Sequence, residues 1–164
     1  MKTKSNIACF DSHVFIWGVK KEATPGQEHN IAKTAYFIEH LENNGVKIIM
    51  PAPVLTELTY RLNEDERNKF AQTVNKRFIC APFDNACGLI CAKILHKLLK
   101  EGRLKEDITR KKIKYDALIA SIAIRHECDC LYTLDKDYDA IREFIEIKEI
   151  PNLTRTLELN FKAE

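Results

Sequence analysis

The chain has almost no net charge: 26 Lys and Arg stand against 24 Asp and Glu, a formal +2 at neutral pH. That balance excludes a protein that holds nucleic acid by bulk attraction, so any such contact has to be local. Long apolar runs are also missing. The N-terminus, MKTKSNIACF, offers only a short apolar stretch before Asp11, which fits neither a signal peptide nor a membrane span. A cytoplasmic location and no membrane partner are therefore expected. Repeats and low-complexity segments are absent too. Cys128 and Cys130 form a C-x-C with no second pair at zinc-finger spacing. Cys87 and Cys91 share the spacing of Ile90, Ile94, Leu95 and Leu98, so they read as small core residues of a helix rather than as disulfide partners.

What remains is one domain's worth of chain, 164 residues with 45% hydrophobic content. The domain is expected over residues 1–150, with a polar tail at 151–164 whose Leu153, Leu157, Leu159 and Phe161 pack on the body or a partner. Short apolar runs punctuated by charge or proline predict strands at Asn6–Phe10, Val46–Met50, Phe78–Cys80 and Cys130–Leu134, with an alternating edge strand at Ile145–Ile150. Helical spacing predicts a short helix or turn over Ser12–Val19, a helix capped by Asn30 and stopped by Gly45, one over Pro53–Leu62, one capped by Asp84 and ending at Gly102, and one over Asp139–Phe144. Between Asn63 and the third strand a further short helix is expected. Strand alternates with helix throughout, the pattern of an α/β fold with a mostly parallel sheet covered on both faces.

The stretch from Tyr115 to Asp139, YDALIASIAIRHECDCLYTLDKDYD, organises the rest. Ala117–Ile124 is apolar except for Ser121, so a buried helix is expected with Asp116 in its first turn. Arg103, Lys105, Arg110, Lys111, Lys112 and Lys114 precede it, a basic loop that reads either as a solvated face or as a contact for an anionic substrate.

In open parallel sheets, ligands gather outside the carboxyl ends of the strands. Asp11 follows the first strand, Glu57 sits early in the helix after the second, Asp116 heads the buried helix, and Asp135 and Asp137 follow the fourth strand. Taken singly, Asp11 and Asp116 read equally well as helix caps, Asp139 as a surface acid and His13 as a bystander; agreement in topology makes the case. Carboxylates a few ångströms apart raise one another's pKa values, so a convergent set needs a positive partner. A hard divalent cation, Mg²⁺ or Mn²⁺, suits oxygen ligands and would bind a phosphate oxygen and activate water.

These residues also resemble the PIN domain family, metal-dependent ribonucleases that include VapC-type toxins. The likeness rests on Phe10-Asp11-Ser12-His13-Val14, on the segment from Pro51 to Leu58 around Glu57, and on Asp116–Ala123 with Thr133-Leu134-Asp135-Lys136-Asp137-Tyr138. It implies a three-layer α/β/α sandwich, Mg²⁺ or Mn²⁺ dependence, hydrolysis of single-stranded RNA, and an antitoxin partner; apart from the resemblance, the apolar positions of the tail suit an antitoxin or a homodimer surface. By the same resemblance Asp11, Asp116 and Asp135 hold metal, Asp137 supports a second ion, Glu57 holds a metal-bound water, and Ser12 and Thr133 are polar supports. Arg110, Lys111, Lys112 and Lys114 are candidate RNA contacts. His13 and Leu134 depart from the family's usual small polar residue and Asn. A non-catalytic RNA-binding or assembly module on the same fold is the competing reading. A haloacid dehalogenase would need a second Asp where His13 stands, and a receiver would need an acidic pair before its first helix.

Overall fold

The computed structural model describes residues 5–104, 107–134 and 136–152, with only the backbone described at 107–109 and 136–137. Five strands form one sheet: β1 (Ile7–Phe10), β2 (Lys47–Pro51), β3 (Ile79–Ala81), β4 (Cys130–Tyr132) and β5 (Ile147–Lys148). Their order is β3-β2-β1-β4-β5, and all four pairings are parallel. Helices cover both faces, giving the expected α/β/α layers. The central strands show why: Ala8, Cys9 and Phe10, like Ile48, Ile49 and Met50, are buried in unbroken succession. Only a sheet packed on both sides buries consecutive residues.

The helices are α1 (Ser12–Phe15), continued by a π-helical turn over Ile16–Lys20, α2 (His29–Asn43), α3 (Ala52–Thr59), α4 (Glu64–Asn75), α5 (Asn85–Lys100) and α6 (Asp107–Arg125). Asp84 caps α5 by accepting from the Cys87 amide at 2.8 Å, and Cys87, Cys91, Ile94 and Leu98 form the buried stripe below it. Gly45 ends the α2 unit at φ +71°, a backbone conformation suited to glycine.

Several expectations need correction. Asn30 lies inside α2 and does not cap it; the N-cap position is Glu28, whose side chain makes no capping bond to the helix. The helix expected over Pro53–Leu62 ends at Thr59, and the one expected after Asn63 is α4, started by a reciprocal capping box between Asn63 and Glu66. The segment 102–114 is not one loop: α6 starts at Asp107, so Arg110, Lys111, Lys112 and Lys114 lie exposed on its outer face and Asp116 stands mid-helix. Lys and Arg are good helix formers, and Ile113, Asp116, Ala117 and Ala120 continue one buried face across the change in polarity. After β4 the chain makes a 3₁₀ turn, Lys136–Ala140, in place of a helix over Asp139–Phe144, and β5 keeps only the middle of the predicted edge strand. The tail expectation for 153–164 falls outside the described residues.

Candidate active site

The strand order locates the site. From β1 the chain steps outward to β2 and β3, then crosses back to lay β4 on the other side of β1. The reversal opens a crevice between the carboxyl ends of β1 and β4. There the Asp11 amide donates to the Tyr132 carbonyl at 3.0 Å, carrying the ladder one residue past β1.

Asp11 is buried, 4% exposed, and both its oxygens are held. The Ser12 amide donates to Oδ1 at 2.7 Å, with the Ser12 hydroxyl 3.3 Å away, and the Thr133 hydroxyl donates to Oδ2 at 2.9 Å. Burial pushes the Asp11 carboxyl above its ordinary range; the bonds from Ser12 and Thr133 and the nearby His13 pull it down, and Glu57 pushes it up. Neither Asp11 nor Glu57 forms an ion pair with Lys or Arg among the described residues. His13 itself is exposed and packs its ring 5.7 Å from Trp17.

Asp116 is also buried, 4% exposed, on the face of α6 that packs inward. Being mid-helix it gains nothing from the positive end of the helix, unlike Asp11 at the head of α1. Glu57, on the second turn of α3, is exposed at the rim. The residue that ties these together is Tyr115. Its hydroxyl lies 2.8 Å from the Pro53 carbonyl and 3.2 Å from Glu57 Oε2, bridging α6 to α3. Burial drives its phenol well above the ordinary value, and the charges of Glu57, Asp11 and Asp116 add to the rise. The phenol thus stays protonated and serves as a donor, and all three acids lie within electrostatic reach of one ring. A cavity of about 560 Å³ opens beside it, lined by Pro53, Thr56, Glu57 and Tyr115.

Glu57 thus touches the phenol directly, and the charges of Asp11 and Asp116 reach it. Among the described residues no three His, Cys, Asp or Glu side chains are close enough to hold one ion. Asp135 and the side chain of Asp137 lie outside the described residues. The donor chemistry nonetheless fits a hard cation: two buried carboxylates and a third at the rim, all oxygen, with Asp11 held above its ordinary range by burial. Sequence reading does not single out Tyr115, whose only signal there is adjacency to Asp116; its partners Glu57 and Pro53 lie 58 and 62 positions earlier.

Comparison with known proteins bears on the same features. A model of the PIN domain matches residues 8–143. Among solved structures, VapBC2 from Rickettsia felis bound to a DNA fragment from its promoter superposes with a TM-score of 0.64 at 18% identity, covering 88% of this chain and 99% of that one. VapBC-1 from nontypeable Haemophilus influenzae gives 0.61 at 16%, covering 87% and 97%. VapBC-5 of Mycobacterium tuberculosis, of the VapBC family of toxin–antitoxin systems, gives 0.52 at 17%, covering 88% and 98%. At these identities the likeness is one of fold. No curated protein matches the chain. Because the family match runs from β1 through the turn after β4, and so takes in Asp11, Glu57, Asp116 and Thr133, the chain belongs to the PIN domain family.

Proposed function

We propose that this protein is an endoribonuclease that hydrolyses single-stranded RNA with Mg²⁺ or Mn²⁺, and is the toxin of a pair whose other member is an antitoxin protein. The observation that carries the reading is the bond from Thr133 to Asp11, which fixes a buried carboxylate in the crevice where the sheet reverses direction. Family membership supports a nuclease, and the likeness to VapBC structures supports a protein partner.

In this reading Asp11, Asp116, Asp135 and Asp137 hold the metal. When bound, the ion supplies charge for a phosphodiester oxygen and a more acidic water. Ser12 and Thr133 orient Asp11 by donating to its two oxygens, Ser12 to Oδ1 and Thr133 to Oδ2. Glu57, at the rim, accepts from or orients the attacking water. Exposed Arg110, Lys111, Lys112 and Lys114 draw the RNA backbone toward the crevice along α6.

The test is cleavage of mixed RNAs in Mg²⁺ or Mn²⁺ by wild type, Asp11→Asn and Asp116→Asn. Wild type should cleave, and each variant should lose on the order of 100-fold or more in rate. Equal cleavage by all three proteins would place the activity elsewhere. The competing reading is a non-catalytic RNA-binding or assembly module on the same fold. That reading requires RNA binding without turnover in either metal.

A further inference from the structure

The cavity beside Glu57 has a composition that the hydrolytic role does not use. Pro53 and Tyr115 form apolar walls, Thr56 stands one residue before Glu57 on α3, and the Thr56 hydroxyl is already committed to the Ala52 carbonyl at 3.1 Å. The Tyr115 ring is half-buried and held at its far end by Pro53 and Glu57, so it cannot swing aside without breaking contacts to α3. An aromatic surface fixed in advance loses little freedom when something flat settles against it. Lys111 lies one turn earlier on the same side of α6, exposed to solvent. A cation, then a pinned ring, then a carboxylate site is the sequence of features that tracks a single strand: backbone charge first, base stacking next, the reacting phosphodiester beyond.

We propose that this cavity is a nucleobase subsite, in which Tyr115 stacks a base of single-stranded RNA flanking the bond to be cut, and Lys111 takes a neighbouring phosphate. The inference rests on the nuclease reading for the position of the scissile bond, but the binding it describes does not depend on turnover. A phosphate is a poor occupant, because the Glu57 carboxylate lines the cavity. A neutral flat base meets the apolar walls without that repulsion. Stacking tolerates any base, so the subsite contributes affinity and register rather than a sequence preference.

The experiment measures binding of a fluorescent RNA oligomer to Asp11→Asn protein by anisotropy, with an intact strand and with strands carrying one abasic nucleotide at successive positions. One abasic position should weaken binding roughly 10-fold, within the range expected for loss of one stacked base. In Asp11→Asn/Tyr115→Leu the intact strand should bind as weakly as that abasic strand, and the abasic penalty should vanish. Tyr115→Phe keeps the ring but not its anchor, and should retain the penalty; circular dichroism of each variant checks that the fold is kept. A penalty that is absent, or that survives in the Leu variant, overturns the subsite. Cleavage by wild type is scored separately, so binding with the stated pattern but no turnover would sink the nuclease reading and leave the subsite standing.

Discussion

Asp11 shows how a single residue can be stabilised geometrically and strained electrostatically at once. Its raised pKa, caused first by burial, means that the folded protein prefers the protonated carboxyl. The sign follows: in metal-free protein this group's contribution falls as pH rises from the ordinary 3.8 through the raised value, and stays unfavourable at neutral pH. Asp11→Asn should therefore melt no lower than wild type without metal at pH 7, while Mn²⁺ raises the melting temperature of wild type but much less that of the variant, as thermal scans with and without the ion will show. Thr34 offers a second case. Its side chain is fully buried on α2, and its hydroxyl has no hydrogen-bond partner among the described residues. Replacing it with the isosteric Val should stabilise the fold by about 1 kcal/mol in urea denaturation, because an unmet buried hydroxyl is removed without changing shape.

At the scale of elements, the close seat of the π-helical turn on α2 depends on the small size of Gly18. A Cβ there would come within 2.4 Å of Ile38 Cδ1 and 3.0 Å of Thr34 Cγ2. Because Ile38 is buried and has little room to yield, Gly18→Ala should cost about 1–3 kcal/mol, read as a lower denaturation midpoint with an unchanged slope. Elements were also where the sequence spoke unevenly. The apolar triplets around Cys9 and Ile49, Asp84 before the Cys87–Leu98 stripe, and Gly45 each announced their local structure, because burial, capping and a left-handed backbone conformation are properties of short stretches. The start of α6 was misread because hydrophobicity begins at Ala117, whereas the hydrogen-bonded helix runs back to Asp107 through charged residues that favour helix as well. Asp11 and Asp116 were legible as candidates for a common site. The strand order that joins β1 to β4, and the Tyr115 bridge to Pro53, were not, since both arise from pairings between distant segments.

Across the whole molecule, the segment leading into β1 is fastened to the one leading into β4. Asp129, just before β4, accepts from the Ser5 amide at 3.0 Å and hydroxyl at 3.0 Å and from the Asn6 amide at 2.9 Å, and its own amide donates to the Ile7 carbonyl at 2.8 Å. Slight burial tends to raise the Asp129 carboxyl, but these bonds outweigh it and hold it below the ordinary 3.8. Its stabilising contribution is thus complete above that value and is lost as pH falls through the depressed one. Asp129→Asn should lose less stability than wild type between neutral pH and about pH 3, measured as denaturation midpoints across that window.

The bond between Thr133 and Asp11 spans 122 positions of the chain. During synthesis Asp11 leaves the ribosome 122 positions ahead of its companion. A polypeptide that stops short of β4 therefore lacks both that strand and the Thr133 hydroxyl that fixes the Asp11 carboxylate, so the crevice is not assembled. Under the ribonuclease function proposed above, that order of appearance keeps the incomplete chain harmless to the message that encodes it.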